Sequence, residues 1–196
     1  VLLIAMTLIF LSMTVEIIEQ EQINAIQKMS QLTEEQKEAA IQQSTSPMIT
    51  ILKYVSGVIS IIISVLFTAL IFWMIGNFIG GGEQKFPVLL VSALYIQLIT
   101  IPESIIKLIL VLQKEAIQVY VGLASLVSEP EFTSFGFQFL AQFEFFKIWR
   151  IILWIIAFKV LYRYSVKKSA LLIVIPMLIG MLIAALLGSM QFGQMG

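Results

Sequence analysis

Long apolar runs alternate with short polar interruptions along this 196-residue chain. Five runs stand out, at about 1–18, 54–79, 88–112, 143–162 and 170–188. A bilayer span needs roughly 20 mostly apolar residues. Inside lipid every backbone polar group must be satisfied internally, which leaves helices or closed barrels. Barrel strands alternate in character over about ten residues, and the run "VISIIISVLFTALIFWMI" does not alternate. The pattern therefore predicts an all-α fold: a polytopic membrane helical bundle with five transmembrane helices, forming a single domain over 1–196.

Two longer polar connections divide the runs. The first, 16–46, carries Glu16, Glu19, Glu21, Glu34, Glu35 and Glu38 against Lys28 and Lys37. Within it Ile23, Ile26, Met29 and Leu32 recur at three-residue spacing, which gives one apolar helical face. Thr33 and Gln36 have the spacing of a capping box for a helix from Glu34 to about Gln43. Pro47 offers a start for the next helix. A helical hairpin packed on the bundle or the headgroups is expected here, with partner docking as the alternative. The second connection, 113–142, gathers Tyr120, Phe132, Phe135, Phe137 and Phe139 around the polar breaks "SEPEF" and "SFG". Such aromatics suit a half-embedded amphipathic segment at the interface, with a substrate-contacting surface as the alternative.

Charge sets the orientation. The hairpin between the fourth and fifth runs holds Lys159, Arg163, Lys167 and Lys168 with no acid, which places it in the cytoplasm. The "GGGEQKF" turn then shares that side, and the loops 16–46 and 113–142 are extracytoplasmic. The chain opens on Val1 inside an apolar run, so further residues are expected upstream.

Composition agrees with a membrane protein: 59% of residues are hydrophobic and 12% charged, against about 25% charged in soluble domains. Lys and Arg balance Glu at 12 each, leaving no basic stripe for nucleic acid. Cysteine, histidine and aspartate are absent. Thiolate nucleophiles, imidazole bases and the usual zinc ligands are thereby excluded. No catalytic residue, cofactor or metal is expected.

Three sets of residues invite interpretation. Gly80-Gly81-Gly82 lacks the strand before it and the Gly-Lys-Ser/Thr after it that a phosphate loop needs, so it is expected to be a flexible break between spans. Ser56, Ser60, Ser64 and Thr68 recur every four residues, as do Gly180, Ala184 and Gly188, and such stripes let another helix approach closely. Packing within the bundle is expected of both, with an oligomer or partner contact as the alternative. The third set is the intramembrane polar cluster Glu103, Lys107, Glu144, Lys147 and Arg150. A lone charge in lipid is expensive, so these groups should pair, Glu103 with Lys147 or Arg150, or else line an ion or substrate path. Pro102 should loosen the third run locally.

The turn "GGGEQKFPVLL", Tyr95 and Pro102 beyond it, Trp149 and Trp154, and "YRYSVKKSALLIVIP" together resemble the Yip domain (Ypt-interacting protein) membrane proteins, over roughly 54–188. The resemblance implies a five-helix bundle with a cytoplasmic N-terminal tail. The Glu- and Gln-rich first loop is similar to the bacterial branch, which implies a plasma-membrane accessory or scaffolding subunit. Its partners would be lipid and other integral membrane proteins, an ABC-type exporter for some members, or a second copy. A small transporter or channel using the buried charges, and a membrane-shaping or trafficking factor, stay open.

Overall fold

The computed structural model describes residues 1–128 and 131–193, with 191–193 as helical backbone. The chain divides into two compact units. One comprises 1–64 with 100–119, the other 65–99 with 120 onward.

In the first unit the opening apolar run does not stop near residue 18. Helix α1 is continuous over Leu2–Lys28, because "EIIEQEQ" is made of good helix formers with no glycine or proline to interrupt them. Ile23 and Ile26 therefore extend α1 rather than forming a separate helix, and Met29 is its C-cap. Helix α2, Glu34–Ser44, starts on the expected capping box. The Thr33 hydroxyl accepts from the Gln36 amide at 3.3 Å, and the Gln36 side chain accepts from the Thr33 amide at 3.0 Å. Helix α3, Pro47–Met74, begins at the proline, where a missing N–H costs nothing. Helix α1 packs along α2 and along α5, Thr100–Lys114. Thr14 is fully buried and returns its hydroxyl to Phe10 O at 2.8 Å. Gly57 on α3 lets Leu11 of α1 approach closely: a Cβ there would lie 2.8 Å from Leu11 Cδ1.

The third run is broken rather than continuous. Helix α4, Phe86–Gln97, ends just before α5 begins. Pro102 explains the position, since a proline has no N–H for the carbonyl four residues back and its ring clashes with it. That carbonyl belongs to Leu98. The amides of Leu98 and Ile99 accordingly tighten onto Tyr95 O and Ile96 O at 3.1 and 3.2 Å. Pro102 itself sits harmlessly in the first turn of α5.

The second unit contains α6 (Phe135–Leu140), α7 (Phe145–Leu161) and α8 (Val166–Gly193). Helix α8 packs along α6 and α7, and α4 along α7. Phe72, Trp154 and Phe158 form the aromatic centre, with Phe72 and Trp154 rings 4.3 Å apart. Leu89 and Ile173 are fully buried.

The second polar connection folds into a small cap rather than a single amphipathic segment. Ala124, Phe137 and Ala141 form its core, and Tyr120 packs edge-on to Phe137 at 5.0 Å. Within "SFG", the Ser134 hydroxyl caps α6 by accepting from the Phe137 amide at 3.2 Å. Of "SEPEF", Glu129 and Pro130 lie outside the described residues.

Among the described residues four helical stretches are long and apolar enough to cross a membrane: Leu2–Lys28, Pro47–Ile79, Phe86–Lys114 (α4 and α5 taken together across their two-residue break) and Val166–Met190. The fifth expected span is α7, whose 17 residues rise about 25 Å at 1.5 Å per residue. That is the short end of the spanning range.

Candidate functional site

The best-organised polar site lies where the glycine-rich turn meets the basic hairpin. Helix α3 leaves its regular winding through a π turn over Ile75–Ile79, closed by Gly80 N–H donating to Ile75 O at 2.8 Å. Gly82 N–H then donates to Gly76 O at 3.0 Å, and Gly81 takes φ +71, a conformation that favours glycine. The turn is thus wound back on the helix end.

Gln84 ties this turn to its surroundings. Its amide donates to Asn77 Oδ1 at 3.0 Å, while its carbonyl accepts from Asn77 Nδ2 at 2.8 Å and Trp73 Nε1 at 2.7 Å. Its side chain donates to Leu161 O at 2.6 Å, reaching the last carbonyls of α7. Helix ends leave such carbonyls without intrahelical partners, so Gln84 satisfies one that lipid could not.

The hairpin answers from its own side. Tyr164 donates to Gly76 O at 2.8 Å, and Lys168 Nζ donates to Gly80 O at 2.7 Å while lying 4.0 Å above the Tyr164 ring. Tyr162 and Tyr164 stack at 5.2 Å. A Cβ at Gly76 or Gly82 would overlap the Tyr162 ring, so those two glycines exist to let the tyrosine in. Burial raises the Tyr164 phenol above the ordinary tyrosine range, which keeps it a neutral donor.

The glycines therefore form a bonded latch, not the flexible break expected from composition. The Trp73, Asn77, Gln84, Tyr164 and Lys168 donors are spent on backbone carbonyls, while the buried Tyr162 hydroxyl makes no hydrogen bond among the described residues, so the arrangement joins helix ends. Sequence reasoning missed Trp73, Asn77, Gln84, Tyr162, Tyr164 and Lys168 as a group. The signal was the pairing of "GGGEQKF" with "YRYSVKK", two segments about eighty residues apart that carry the family resemblance.

The expected intramembrane charges distribute over both units. In the first, Glu103 is 6% exposed and accepts from Lys107 Nζ at 2.9 Å along α5, the favourable four-residue arrangement. In the second, Glu144 is the N-cap of α7 and pairs in a bridge with Gly122. Lys147 Nζ donates to Gln142 Oε1 at 2.7 Å, and Arg150 is half-buried one turn along.

The small-residue stripes face outward. Ser56, Ser60 and Ser64 are exposed and Thr68 half-buried, while Val65, Ala69 and Phe72 form the buried face. On α8, Gly180 and Ala184 are exposed, with open space around Gly180. Gly188 alone meets a neighbour, Gln138 of α6, where a Cβ would fall 2.6 Å from Oε1. The internal packing expected of this stripe is carried one position along, by Ser169, Ile173, Met181 and Ala185.

Apolar helices of bilayer length, outward-facing hydrophobic side chains and a bonded latch at the helix ends define a polytopic α-helical integral membrane protein. The Yip1 domain profile matches residues 1–187, and the chain belongs to that family. No curated protein and no solved structure gives a significant match.

Proposed function

We propose that this Yip1 domain protein is a non-catalytic accessory or scaffolding subunit of the bacterial plasma membrane. It acts through other integral membrane proteins, with an ABC-type exporter as the favoured partner class and a second copy as the other. The observation that carries this reading is the outward stripe of Gly180 and Ala184 on α8, beside a buried face already filled by Ile173, Met181 and Ala185. Small residues on a lipid-facing helix permit close backbone approach by another helix, and no described residue fills the space at Gly180. The absence of Cys, His and Asp supports the non-catalytic part.

Site-specific photo-crosslinkers at Gly180 and Ala184, installed in native membranes, test the reading. A discrete membrane-protein adduct, identified by mass spectrometry, is expected from both positions, and the Ala184 adduct should be lost with Gly180→Leu on the same helix. Lipid adducts alone from both positions would refute it.

A second reading, a small transporter or channel, draws on the burial of Glu103 and its pairing with Lys107. It expects Glu103→Gln to alter ion or substrate flux in reconstituted vesicles. The scaffolding reading expects no flux to alter.

A further inference from the structure

An open groove of about 380 Å3 runs between α4 and α7, lined by Ser92, Tyr95 and Ile96 on one wall and Ile156, Ala157 and Val160 on the other. Its volume lies within the range of small-molecule pockets, about 300–1,000 Å3. The walls are apolar apart from Ser92, whose hydroxyl is spent on Val88 O at 2.9 Å, and Tyr95, which is 69% exposed. Such a groove offers a polar solute almost nothing and suits hydrocarbon.

One end of the groove is electrostatically distinct. Its α7 wall reaches Leu161, the residue whose carbonyl takes the Gln84 side chain at 2.6 Å. Lys85 follows Gln84 as the N-cap of α4, Lys159 adjoins Val160, and Arg163 comes two residues after Leu161. All three are exposed, and no salt bridge among the described residues engages any of them. Arg163 is also held at φ +55, an uncommon conformation for a residue other than glycine. Three exposed cations, in no salt bridge among the described residues, thus flank in sequence the end of the groove where Leu161 meets Gln84.

We propose that this groove holds an acyl chain of an anionic phospholipid whose phosphate is bound by Lys85, Lys159 and Arg163. The Gln84 bond to Leu161 ties the segment that carries Lys85 to the one that carries Lys159 and Arg163. The site extends beyond the scaffolding reading and does not depend on it. Basic clusters at a membrane surface attract anionic lipid through charge. The groove adds a place for the chain and so makes the binding stoichiometric.

The test uses the full chain, reconstituted in phosphatidylcholine containing a minority of phosphatidylglycerol, released gently and weighed by native mass spectrometry. A single retained phosphatidylglycerol per chain is expected, undisturbed by excess inorganic phosphate. Replacing Lys85, Lys159 and Arg163 together by Gln should lower its affinity roughly a hundredfold, about fivefold per charge. Lys28→Gln with Lys37→Gln, in the first unit, should leave it unchanged. Ala157→Phe fills the groove and should abolish retention with all three cations in place. Ile156→Trp repeats this at a half-exposed position, with monodisperse elution of both variants confirming that they fold. Retention at the wild-type level in both filled-groove variants would reduce the cations to general surface attraction and overturn the site, as would equal retention of phosphatidylcholine.

Discussion

The two units of this chain hold their helices together with different materials. The first relies on charged and polar side chains that reach from one helix to another. Glu19 on α1 pairs with Lys53 on α3 at 3.6 Å and accepts from the Thr50 hydroxyl at 3.1 Å. Glu21 accepts from the Ile117 amide just beyond α5 at 2.8 Å. Its buried apolar residues are few, chiefly Leu108 and Val111. The second unit instead packs rings against rings and glycines, from Phe72, Trp154 and Phe158 down to Tyr162. Lipid tails are as apolar as leucine, so burial of hydrocarbon gives little drive to helix association in a membrane. What remains is close packing or hydrogen-bonded polar pairs, and each unit leans on one of them.

Substitutions that spoil one material and spare the other sharpen this contrast. Gly76→Leu should have the largest effect, about 3 kcal/mol, because the new side chain occupies the volume of the Tyr162 ring. Thermal unfolding in mild detergent reads it, and a wild-type melting curve would mean the latch does not hold the second unit. Glu19→Ala comes next, at about 2 kcal/mol, since Lys53 is left with only 17% of its side chain exposed and no carboxylate beside it. Adding Lys53→Met should recover most of the loss. A double-mutant cycle with no coupling would remove the charged pair from the account.

Smaller changes probe single bonds. Tyr164→Phe deletes the donor to Gly76 O but keeps the stack on Tyr162, so about 1 kcal/mol is expected from the same melts. Gly180→Ala should shift stability by no more than about 0.5 kcal/mol, because no described residue lies near that position. Any effect it has should appear in crosslinking yield to a neighbour and leave the melting temperature in place.

Much of the local structure was legible from the residues. Thr33 and Gln36 announce α2 and Pro47 announces α3, both from interactions within a few residues, whereas Lys107, which pairs with Glu103 along α5, is not the partner expected for Glu103. The continuity of α1 past Ile18 was hidden because its polar residues were read as the start of a separate helical hairpin, although Glu and Gln are helix formers that continue the same helix. The break at Leu98–Ile99 was anticipated as a loosening near Pro102 but falls one turn earlier, where the ring meets the carbonyl. The buried face of α8 could not be chosen from spacing alone: Gly180–Ala184–Gly188 and Ser169–Ile173–Met181–Ala185 both repeat at about helical period. Only the position of α6 and α7 selects between them. The latch was least legible, since its partners are far apart in sequence and its bonds run mainly to backbone carbonyls, which carry no residue signature.

The Gln84 bonds also decide where a short helix must compromise. They hold the Leu161 end of α7 level with the end of α3 and the start of α4, so that end has no freedom to slide. With α7 as the fifth expected span of a hydrocarbon layer of about 30 Å, the deficit of this 17-residue helix would fall at its Phe145 end. Lys147 and Arg150 sit within two turns of that edge, where long cationic side chains can stretch towards the headgroups. On that expectation a thinner bilayer would relieve the mismatch and a sterol-thickened one would worsen it, at the Phe145 end alone.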